Sequence, residues 1–421
     1  MRKFLSLDNW IKNQRKKNII KLVATDIGKI KNWKFNKKKI YHKSKIFFSI
    51  LAFRLYQKNI KKTWYQPLII QKEVGILGII KRKVQDESFY LLQAKAEPGN
   101  KNGIQLSPTV QATKSNYLRK HKGKKTKFLD FFLKKNKKLD FIKKKRLSEQ
   151  GSRYDKKSNF NILIELKRKT IQIPKNYVWL GSEELKYLIK KKNLMNMDTL
   201  SVFSCCVKKD IENFNFNTTN TLIKLVKQFK KKNEITKKQI SFFNLKNWQI
   251  KNNIISDNKK NFFAIRFFNV KANLREVKKW SQPLLSDFKN SLNTFLVKRE
   301  KNQNFYLLKV IIEPGLSSAK FTSTLNIKNY NPKKDYSKIE FFNFFKSKNG
   351  LQKFIYSDEG GRFYRNETHN YVKILKKNDK LNIKKNFYWV SHNQIIDLIN
   401  KNLVSIEARN LFACFNIDKI K

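Results

Sequence analysis

The segment FYLLQAKAEPGNKNGIQLSPTVQ, residues 89–111, decides the organisation of the chain because parts of it occur twice. FYLL and EPG return at residues 305–308 and 313–315, and WYQPL at 64–68 returns as WSQPL at 280–284. All three pairs are 216 residues apart. Later matches keep the same order: SEQGSRY at 148–154 pairs with SDEGGRF at 357–363, and NMDTLSVFSC at 196–205 pairs with SIEARNLFAC at 405–414.

This ordered repeat predicts two related halves. Trp (7), Pro (7) and Gly (12) are rare in the 421 residues yet hold the register, so a shared Lys and Asn content does not explain the match. We assign the N-terminal repeat to residues 1–206 and the C-terminal repeat to residues 240–421. The polar stretch 207–239 is predicted to be a linker that contains a short helix. The apolar side of this helix is formed by Leu222, Ile223, Leu225 and Val226.

Each half mixes strand and helix patterns. Strand-like runs at 73–84 and 89–97 flank a turn and predict a hairpin. Apolar residues within 128–142 recur at helical spacing. Residues 181–193 predict a second helix, with Ser182 as its N-cap, and residues 391–402 are its counterpart. The predicted fold class is therefore mixed α+β (α/β), present in duplicate.

The formal net charge of +63 admits two interpretations. An excess of 94 Lys and Arg over 31 Asp and Glu is typical of nucleic-acid-binding proteins. The basic residues are nevertheless spread along the whole chain, and abundant Lys, Asn, Ile and Phe with little Gly and Pro is what A/T-rich codons produce. We favour a solvated surface shaped by mutational drift, and a nucleic-acid partner is the less favoured alternative.

Cysteine and histidine placement bears on the compartment and on metal binding. Three cysteines form neither a disulfide framework nor a spaced zinc set, which indicates a reducing compartment. The four histidines are too scattered for a local metal motif, so no metal site is predicted. The best apolar stretch, residues 46–53, is far shorter than a membrane span. The sequence thus predicts a cytoplasmic protein without a membrane partner.

A polar segment follows the first Pro-Gly turn, and such segments commonly display binding groups. If the segment is extended, its alternating side chains lie on one face and can hydrogen-bond a sugar. A solvent-facing edge strand is the alternative interpretation. The alternating residues are Gln105, Ser107, Thr109, Gln111 and Thr113.

The motifs WYQPLI, EVGILG, QAKAEPGN, QLSPTVQATKSNY, SEQG and NMDT, in this order, resemble the NDP-hexose 2,3-dehydratases, which act on dTDP-4-keto-6-deoxyglucose. The resemblance runs from about Ile20 to Phe415. It implies a homodimer whose subunit holds two tandem Nudix-hydrolase-like domains. It also implies removal of the C3 proton and the C2 hydroxyl, giving a 3,4-diketo-2,6-dideoxy sugar without a nicotinamide or other cofactor. The glutamate-dense helix of true Nudix hydrolases is absent, which argues against metal-dependent diphosphate cleavage.

This reaction needs a base for the C3 proton, donors for the C4 ketone oxygen and an acid for the C2 hydroxyl. Tyr117 and His121 are four residues apart, on one face of a helix predicted to open after Ser115, and are the candidate acid and base. Lys95 either polarises the ketone or binds diphosphate. Glu97 is either a turn carboxylate or the base itself.

The other predicted site residues bind substrate. Arg119 suits the diphosphate through its bidentate fork, and Trp64 or Tyr65 is expected to stack on thymine. The remaining predicted substrate-binding residues are Gln66, Asn100, Gln105, Ser107, Thr109, Gln111, Thr113, Ser115 and Asn116.

The second half departs from the family pattern. Its segment EPGLSSAKFTSTLNIKNYNPKKDY, residues 313–336, lacks the Gln residues and the Ser-Pro-Thr-Val-Gln run of the first half. We therefore predict a partly degenerate C-terminal pocket. An active dehydratase is the preferred function, and a non-catalytic sugar-nucleotide-binding paralogue is the alternative.

Overall fold

The chain forms helices and sheets in an order that repeats in its two halves. The computed structural model describes residues 2–113, 126–133, 139–167, 171–211, 214–275, 277–346 and 350–420. The elements of the first half are α1 (Arg2–Lys17), β1 (Ile20–Ala24), β2 (Trp33–Phe35), β3 (Lys39–His42), β4 (Ser49–Gln57), a 3-10 helix (Lys58–Ile60), β5 (Lys62–Ile70), β6 (Gly75–Val84), β7 (Glu87–Ala96), β8 (Ile104–Pro108), β9 (Val110–Ala112), α2 (Asp130–Leu133), β10 (Leu139–Ser148), β11 (Tyr154–Asp155), β12 (Ser158–Leu166), β13 (Tyr177–Leu180), α3 (Ser182–Ile189) and α4 (Met197–Ser204).

The second half follows the same plan and confirms the predicted mixed α+β class. Its elements are α5 (Thr219–Lys232), β14 (Ile235–Ile240), a 3-10 helix (Phe242–Asn244), β15 (Trp248–Lys251), β16 (Ile254–Asp257), β17 (Ala264–Ala272), β18 (Lys279–Ser286), β19 (Ser291–Glu300), β20 (Gln303–Ile311), β21 (Lys320–Thr322), β22 (Leu325–Ile327), a 3-10 helix (Phe342–Phe345), β23 (Leu351–Ser357), β24 (Glu367–Ile374), β25 (Phe387–Ser391), α6 (His392–Asn400), α7 (Ile406–Phe415) and a 3-10 helix (Ile417–Lys419).

Each half contains a seven-stranded mixed sheet, and the two sheets match strand for strand. The first has the order β10-β12-β6-β7-β13, with β8 beside β7 and β9 beside β6. The second has the order β23-β24-β19-β20-β25, with β21 beside β20 and β22 beside β19. The predicted hairpin is confirmed as β6 and β7. Helices α4 and α7 pack against each other, so one apolar core joins both sheets.

The two halves exchange strands reciprocally. Strand β1 of the first half pairs antiparallel with β17 of the second, from Ile20 opposite Ala272 to Ala24 opposite Phe268. Strand β14 pairs antiparallel with β4 of the first half, over residues 235–240 and 52–57. Each exchanged strand covers an edge that would otherwise expose unpaired backbone groups. The halves are therefore joined through their sheets as well as through side chains.

The Pro-Gly turns are exchanged in the same way. The backbone N–H of Gly99 donates to the carbonyl of Gly360 at 2.7 Å, and that of Gly315 donates to the carbonyl of Gly151 at 2.8 Å. A Cβ at Gly99 would lie 1.6 Å from the carbonyl oxygen of Phe363. Only glycine permits this approach, so each EPG turn is seated in the loop of the opposite half.

Three local expectations are corrected or refined. The helix predicted over 128–142 forms only at Asp130–Leu133 among the described residues, because residues 139–148 pair as a strand with β12. Ser182 is not the N-cap of α3; Gly181 is, and its N–H donates to the Glu184 carboxylate at 3.1 Å. The short helix predicted between the halves forms as α5, with Leu222 and Val226 buried.

No helix within the described ranges is both long enough and apolar enough to cross a lipid bilayer.

Candidate active site

A cavity of about 680 Å³ lies between the two halves. The first half contributes the end of β7, strand β9 and the start of α4. The second half contributes the start of β18 and the loop before β24. The exchanged Pro-Gly turn brings that loop over the end of β7, so the cavity is built by both repeats.

A row of four polar side chains lies along the first-half wall of the cavity. The ammonium of Lys95 is 2.9 Å from Glu97 Oε1 and donates to Gln111 Oε1 at 2.5 Å. The amide nitrogen of Gln111 donates to Asp198 Oδ2 at 2.6 Å. Strand β7 thus positions Lys95, and Glu97 follows its last residue, while β9 and α4 supply the other two groups.

Glu97 is a buried carboxylate held in its charged form. Burial alone would raise its pKa, but the nearby cations Lys95, Arg275 and Arg362 lower the pKa below its usual value. Its Oε2 atom accepts no hydrogen bond from the residues described in the structure. Glu97 is therefore ionised at neutral pH, and one of its two carboxylate oxygens is buried without a hydrogen-bond donor among the described residues.

Asp198 and Glu359 behave in the opposite way. Burial, together with the negative charges of Glu149, Glu359 and Glu97, raises the pKa of Asp198 well above its usual value. Burial and the neighbouring Glu97 raise the pKa of Glu359 to about 7. Carboxyl groups of this kind carry a proton near neutral pH and act as donors. The cavity therefore holds an ionised carboxylate beside protonated ones.

Cationic side chains line the cavity from both halves, and its two arginines come from the second half. Arg275, Lys279 and Arg362 line it, with the Arg362 guanidinium 4.3 Å from the centroid of the Phe48 ring. From the first half, Lys157 lines the cavity, and burial lowers its pKa to about 8. Arginines in such positions suit a phosphate or diphosphate group.

One wall of the cavity is aromatic. Trp33, His42, Phe47 and Phe48 lie together, with Trp33 and Phe48 ring centroids 5.0 Å apart. Trp280 lines the cavity from the second half. Flat apolar side chains of this kind are suited to stacking against a nucleobase.

Four of the predicted site residues line this cavity: Lys95, Glu97, Gln111 and Thr113. The single polar face predicted for residues 105–113 does not form. The chain leaves β7 after Pro108 and resumes beside β6 at Val110, with the Thr109 hydroxyl bonded to both neighbouring strands. Because the chain changes partner strand at Thr109, the alternating side chains are divided between different surroundings.

The other predicted polar residues of this segment are structural in the described chain. Asn100 donates to the carbonyls of Lys95 and Gly103, and Gln105 donates to Ser357 Oγ at 2.6 Å. Ser107 and Thr109 are buried. None of these four side chains is among those lining the cavity.

The predicted thymine-stacking pair also lies elsewhere. Trp64 donates to Gln66 at 3.0 Å, and Gln66 donates to the carbonyl of Ser152 at 3.0 Å. Tyr65 accepts a hydrogen bond at its backbone oxygen from Trp248 Nε1 at 2.8 Å. These three residues are not among those lining the cavity, whereas Trp280, the repeat counterpart of Trp64, is.

Five predicted site residues cannot be compared with the structure. Ser115, Asn116, Tyr117, Arg119 and His121 lie outside the described residues.

Sequence reasoning missed the groups supplied by distant segments. Asp198, Glu149, Glu359 and Arg362 fall within the repeated motifs NMDT, SEQG and DEGGR. The carboxylates and the arginine of these motifs were the available signal for the site. The motifs were interpreted only as evidence for the repeat and for the family resemblance.

The second half holds a counterpart that is neutralised internally. Lys328 forms an ion pair with Glu407 at 3.2 Å, and Glu407 is the repeat counterpart of Asp198. Burial and Glu407 raise the pKa of Glu313, the counterpart of Glu97, to about 7. Arg153 pairs with Asp287 beside them at 2.8 Å. The acidic group facing Lys328 is thus already engaged, and the degeneracy of the C-terminal pocket stays a prediction.

Comparisons with known proteins agree with this architecture. The family model described as NDP-hexose 2,3-dehydratase matches residues 5–206 and again residues 219–415. A protein of Saccharopolyspora spinosa named dTDP-4-dehydro-6-deoxy-alpha-D-glucopyranose 2,3-dehydratase is 26% identical, over 96% of this chain and 89% of its own length. Proteins of the same name from Amycolatopsis orientalis and Streptomyces violaceoruber are 26% and 28% identical, covering 97% and 89% of this chain and 89% and 88% of their own lengths.

A solved structure titled "Crystal structure of ADP compounds hydrolase" is similar over 37% of this chain and 84% of that chain, at 14% identity and a TM-score of 0.25. This value supports no inference about the fold, and the Nudix-like core stays a prediction. The family match spans both repeats and nearly the whole chain. The chain therefore belongs to the NDP-hexose 2,3-dehydratase family of enzymes.

Proposed function

We propose that the enzyme removes water from C2 and C3 of dTDP-4-keto-6-deoxyglucose, giving a 3,4-diketo-2,6-dideoxy sugar nucleotide. The observation that carries this proposal is the Lys95–Glu97 pair, which joins an ammonium donor to an ionised carboxylate on the wall of a 680 Å³ cavity. The names of the relatives that match nearly the whole chain support the same substrate.

Glu97 acts as the base for the C3 proton. This proton is acidic because it is adjacent to the C4 ketone, so a carboxylate can remove it if it is desolvated and close. Glu97 lines the cavity and is 6% exposed, and its buried Oε2 atom accepts no hydrogen bond from the described residues. This assignment takes the second of the two roles expected for Glu97.

Lys95 stabilises the negative charge that develops on the ketone oxygen. Its ammonium group has three donors, of which Glu97 and Gln111 take two. The third is available for the substrate oxygen. A preorganised donor in a water-poor site lowers the barrier more than the same donor does in water.

Arginines and aromatic side chains of the same cavity bind the nucleotide part of the substrate. Arg275 and Arg362 bind the diphosphate through their forked donors, and Trp280 or the Trp33–Phe48 wall stacks on thymine. Both arginines also lie close enough to Glu97 to lower its pKa. Diphosphate binding therefore partly offsets the positive charge that keeps this base weak.

We also propose that each repeat has a Nudix-like core. The enzyme is a cytoplasmic homodimer in this proposal, and its chemistry needs no cofactor. We also propose that the second repeat begins at about residue 219, since α5 and β14 stand in the same order as α1 and β1. On that division, residues 207–218 connect the repeats, and α5 belongs to the second repeat rather than to a linker.

Turnover with a trap tests the function. Purified enzyme is incubated with dTDP-4-keto-6-deoxyglucose and a 3-ketoreductase with its nicotinamide, and the 2,6-dideoxy product is measured by mass spectrometry. Glu97→Gln should lower kcat by about 10²- to 10⁴-fold, the usual contribution of a general base. Glu313→Gln changes the matching EPG turn of the second half and should leave kcat within about threefold. Binding of dTDP without turnover by the unmodified enzyme would instead indicate a non-catalytic paralogue.

A further inference from the structure

Asp198 is the second group of the cavity whose position suggests chemistry. It is 4% exposed, lines the cavity and stands in the first turn of α4. Removal of the C2 hydroxyl needs a proton, which the ionised Glu97 does not hold at the start of the reaction. The proton that Glu97 takes from C3 is needed later, when C2 is protonated. The acid must also lie close to the base, since C2 and C3 are bonded to each other.

Gln111 fixes which oxygen of Asp198 is free to donate. A lysine ammonium has no acceptor, so the atom of Gln111 that faces Lys95 must be its amide oxygen. The amide nitrogen therefore faces Asp198 and donates to Oδ2. Because Oδ2 accepts this hydrogen bond, a proton on the carboxyl group lies on Oδ1.

The surroundings keep that proton on Asp198. Burial is the main cause of its raised pKa. Carboxylates from the loop after β10, from the second-half loop and from the residue after β7 raise the pKa further and outweigh the opposing effect of the β7 cation. Among the described residues, the groups that interact electrostatically with Asp198 include Glu149, Glu359, Glu97, Lys95, Tyr154 and Arg409.

We propose that Asp198 is the catalytic acid that protonates the departing C2 hydroxyl, and that Gln111 is the positioning residue that holds it at a fixed distance from Lys95 and Glu97. This inference rests on the proposed dehydration. Glu359 lines the same cavity, but its Oε1 accepts the N–H of Gly361 in its own loop at 3.0 Å, and it has no tie to the Lys95–Glu97 pair of the kind that Gln111 provides. Asp198 therefore fits the role better.

Glu97 and Asp198 exchange protons with the substrate in turn. The C3–H bond breaks, its proton goes to Glu97, and the electron pair forms the enolate with C4. The enolate then reforms the C4 carbonyl, the former C3=C4 electron pair forms the C2=C3 double bond, and the C2–O bond breaks. The departing hydroxide takes the Asp198 proton and leaves as water. In the resulting enol, the C3 hydroxyl returns a proton to Asp198 and Glu97 gives its proton to C2, so both carboxyl groups are restored.

Separating the two proton transfers tests the proposal. Asp198→Asn keeps an acceptor for Gln111 and a donor into the cavity but cannot release a proton. It should lower dehydration by at least about a hundredfold, while exchange of the C3 proton in D₂O, followed by mass spectrometry, stays within about fivefold of the unmodified enzyme. Glu97→Gln should lose exchange and dehydration together.

A substrate with a better leaving group supplies the matched control. Fluoride leaves without prior protonation, so Asp198→Asn should eliminate HF from the 2-fluoro analogue, dTDP-2-deoxy-2-fluoro-4-keto-6-deoxyglucose, within about tenfold of the unmodified enzyme. Asp198→Ala should show the same rescue, so the result does not depend on one amide. A merely structural role would lower both eliminations equally.

Three results would overturn the proposal: dehydration by Asp198→Asn at the normal rate, loss of C3 exchange in both Asp198 variants, or fluoride elimination reduced as much as water loss. If the unmodified enzyme shows neither exchange nor elimination, the proposed function fails and this inference falls with it. Failure confined to the Asp198 variants refutes the acid role alone.

Discussion

The carbonyl oxygen of Phe363 occupies the position that any side chain on Gly99 would need, 1.6 Å from an ideal Cβ. The same relationship holds between Gly315 and the carbonyl oxygen of Tyr154, also at 1.6 Å. Both obstacles are backbone atoms, which cannot move without shifting a loop. The two Pro-Gly turns are thus fitted to the opposite halves by contact with their backbones.

We expect Gly99→Ala to displace the loop that carries Glu359 and Arg362, because the new methyl group must push the Phe363 backbone away. Stability should fall by about 1–3 kcal/mol, the usual cost of overpacking, and kcat should fall as well. Urea unfolding and the trap assay measure the two effects. Gly28→Ala is the control, since a Cβ there meets nothing within 4 Å. Equal stability of the Gly99 and Gly28 variants would contradict this reading of the turn.

The Arg153–Asp287 pair should be a strong link between the halves. Its atoms are 2.8 Å apart and both side chains are 5% exposed. Removing one partner leaves a buried charge, so Asp287→Ala should destabilise the protein by about 3–5 kcal/mol. The exposed pair Lys186–Glu183, also at 2.8 Å, is the comparison, and Glu183→Gln should cost at most about 0.5 kcal/mol. Similar urea midpoints for both variants would show that burial does not govern the effect.

Glu359 should make stability depend on pH. Its pKa is about 7 in the folded chain against an ordinary 4.5. Between these values the folded protein binds a proton that the unfolded chain has released, so stability falls as pH rises through this window and levels off above about 7. Glu359→Gln should flatten the curve by about 1–3 kcal/mol, since one pKa unit corresponds to about 1.4 kcal/mol. Urea unfolding at pH 5 and pH 8 measures the difference, and parallel curves for the two proteins would count against a raised pKa.

The strand exchange predicts that neither repeat folds well alone. A fragment of residues 1–206 lacks β14 and leaves the edge of β4 open, while a fragment of residues 219–421 lacks β1 on β17. Open edges promote aggregation. Each fragment should therefore be largely insoluble, and co-expression of both should restore a soluble complex with dehydratase activity. Gel filtration and the trap assay check this, and a monomeric, stable N-terminal fragment would rule out dependence on the exchanged strand.

Local pattern in the sequence was enough for the elements that pack within one repeat. The alternation and turn at residues 73–97 predicted the hairpin, and the apolar side of α5 predicted its helix. It failed at residues 139–148, where pairing with β12 overrides helical spacing. Local pattern also did not show that Gln105 and Ser107 are buried away from the cavity, because the change of partner strand at Thr109 depends on two neighbouring strands that local sequence does not specify.

The candidate site was predictable to the extent that it lies near the first EPG turn. Lys95, Glu97, Gln111 and Thr113 are close in sequence and line the cavity. Glu359 and Arg362 were missed because the exchanged turns bring them across from the other repeat. The sequence predicted Trp64 as a thymine-stacking residue, whereas its repeat counterpart Trp280 lines the cavity. The repeat aligns these two positions, but the fold places them in different surroundings.

The exchange of strands β1 and β14 between the halves is informative about the evolutionary origin of the chain. Two identical subunits related by a two-fold rotation contact each other through the same surface on each. The two strand exchanges have this symmetric arrangement. A single ancestral repeat that traded its first strand with a twin would have assembled as a swapped dimer before gene fusion joined the copies end to end. On this origin, each half still depends on a strand and a Pro-Gly turn fitted to the other half, as the subunits of a swapped dimer do.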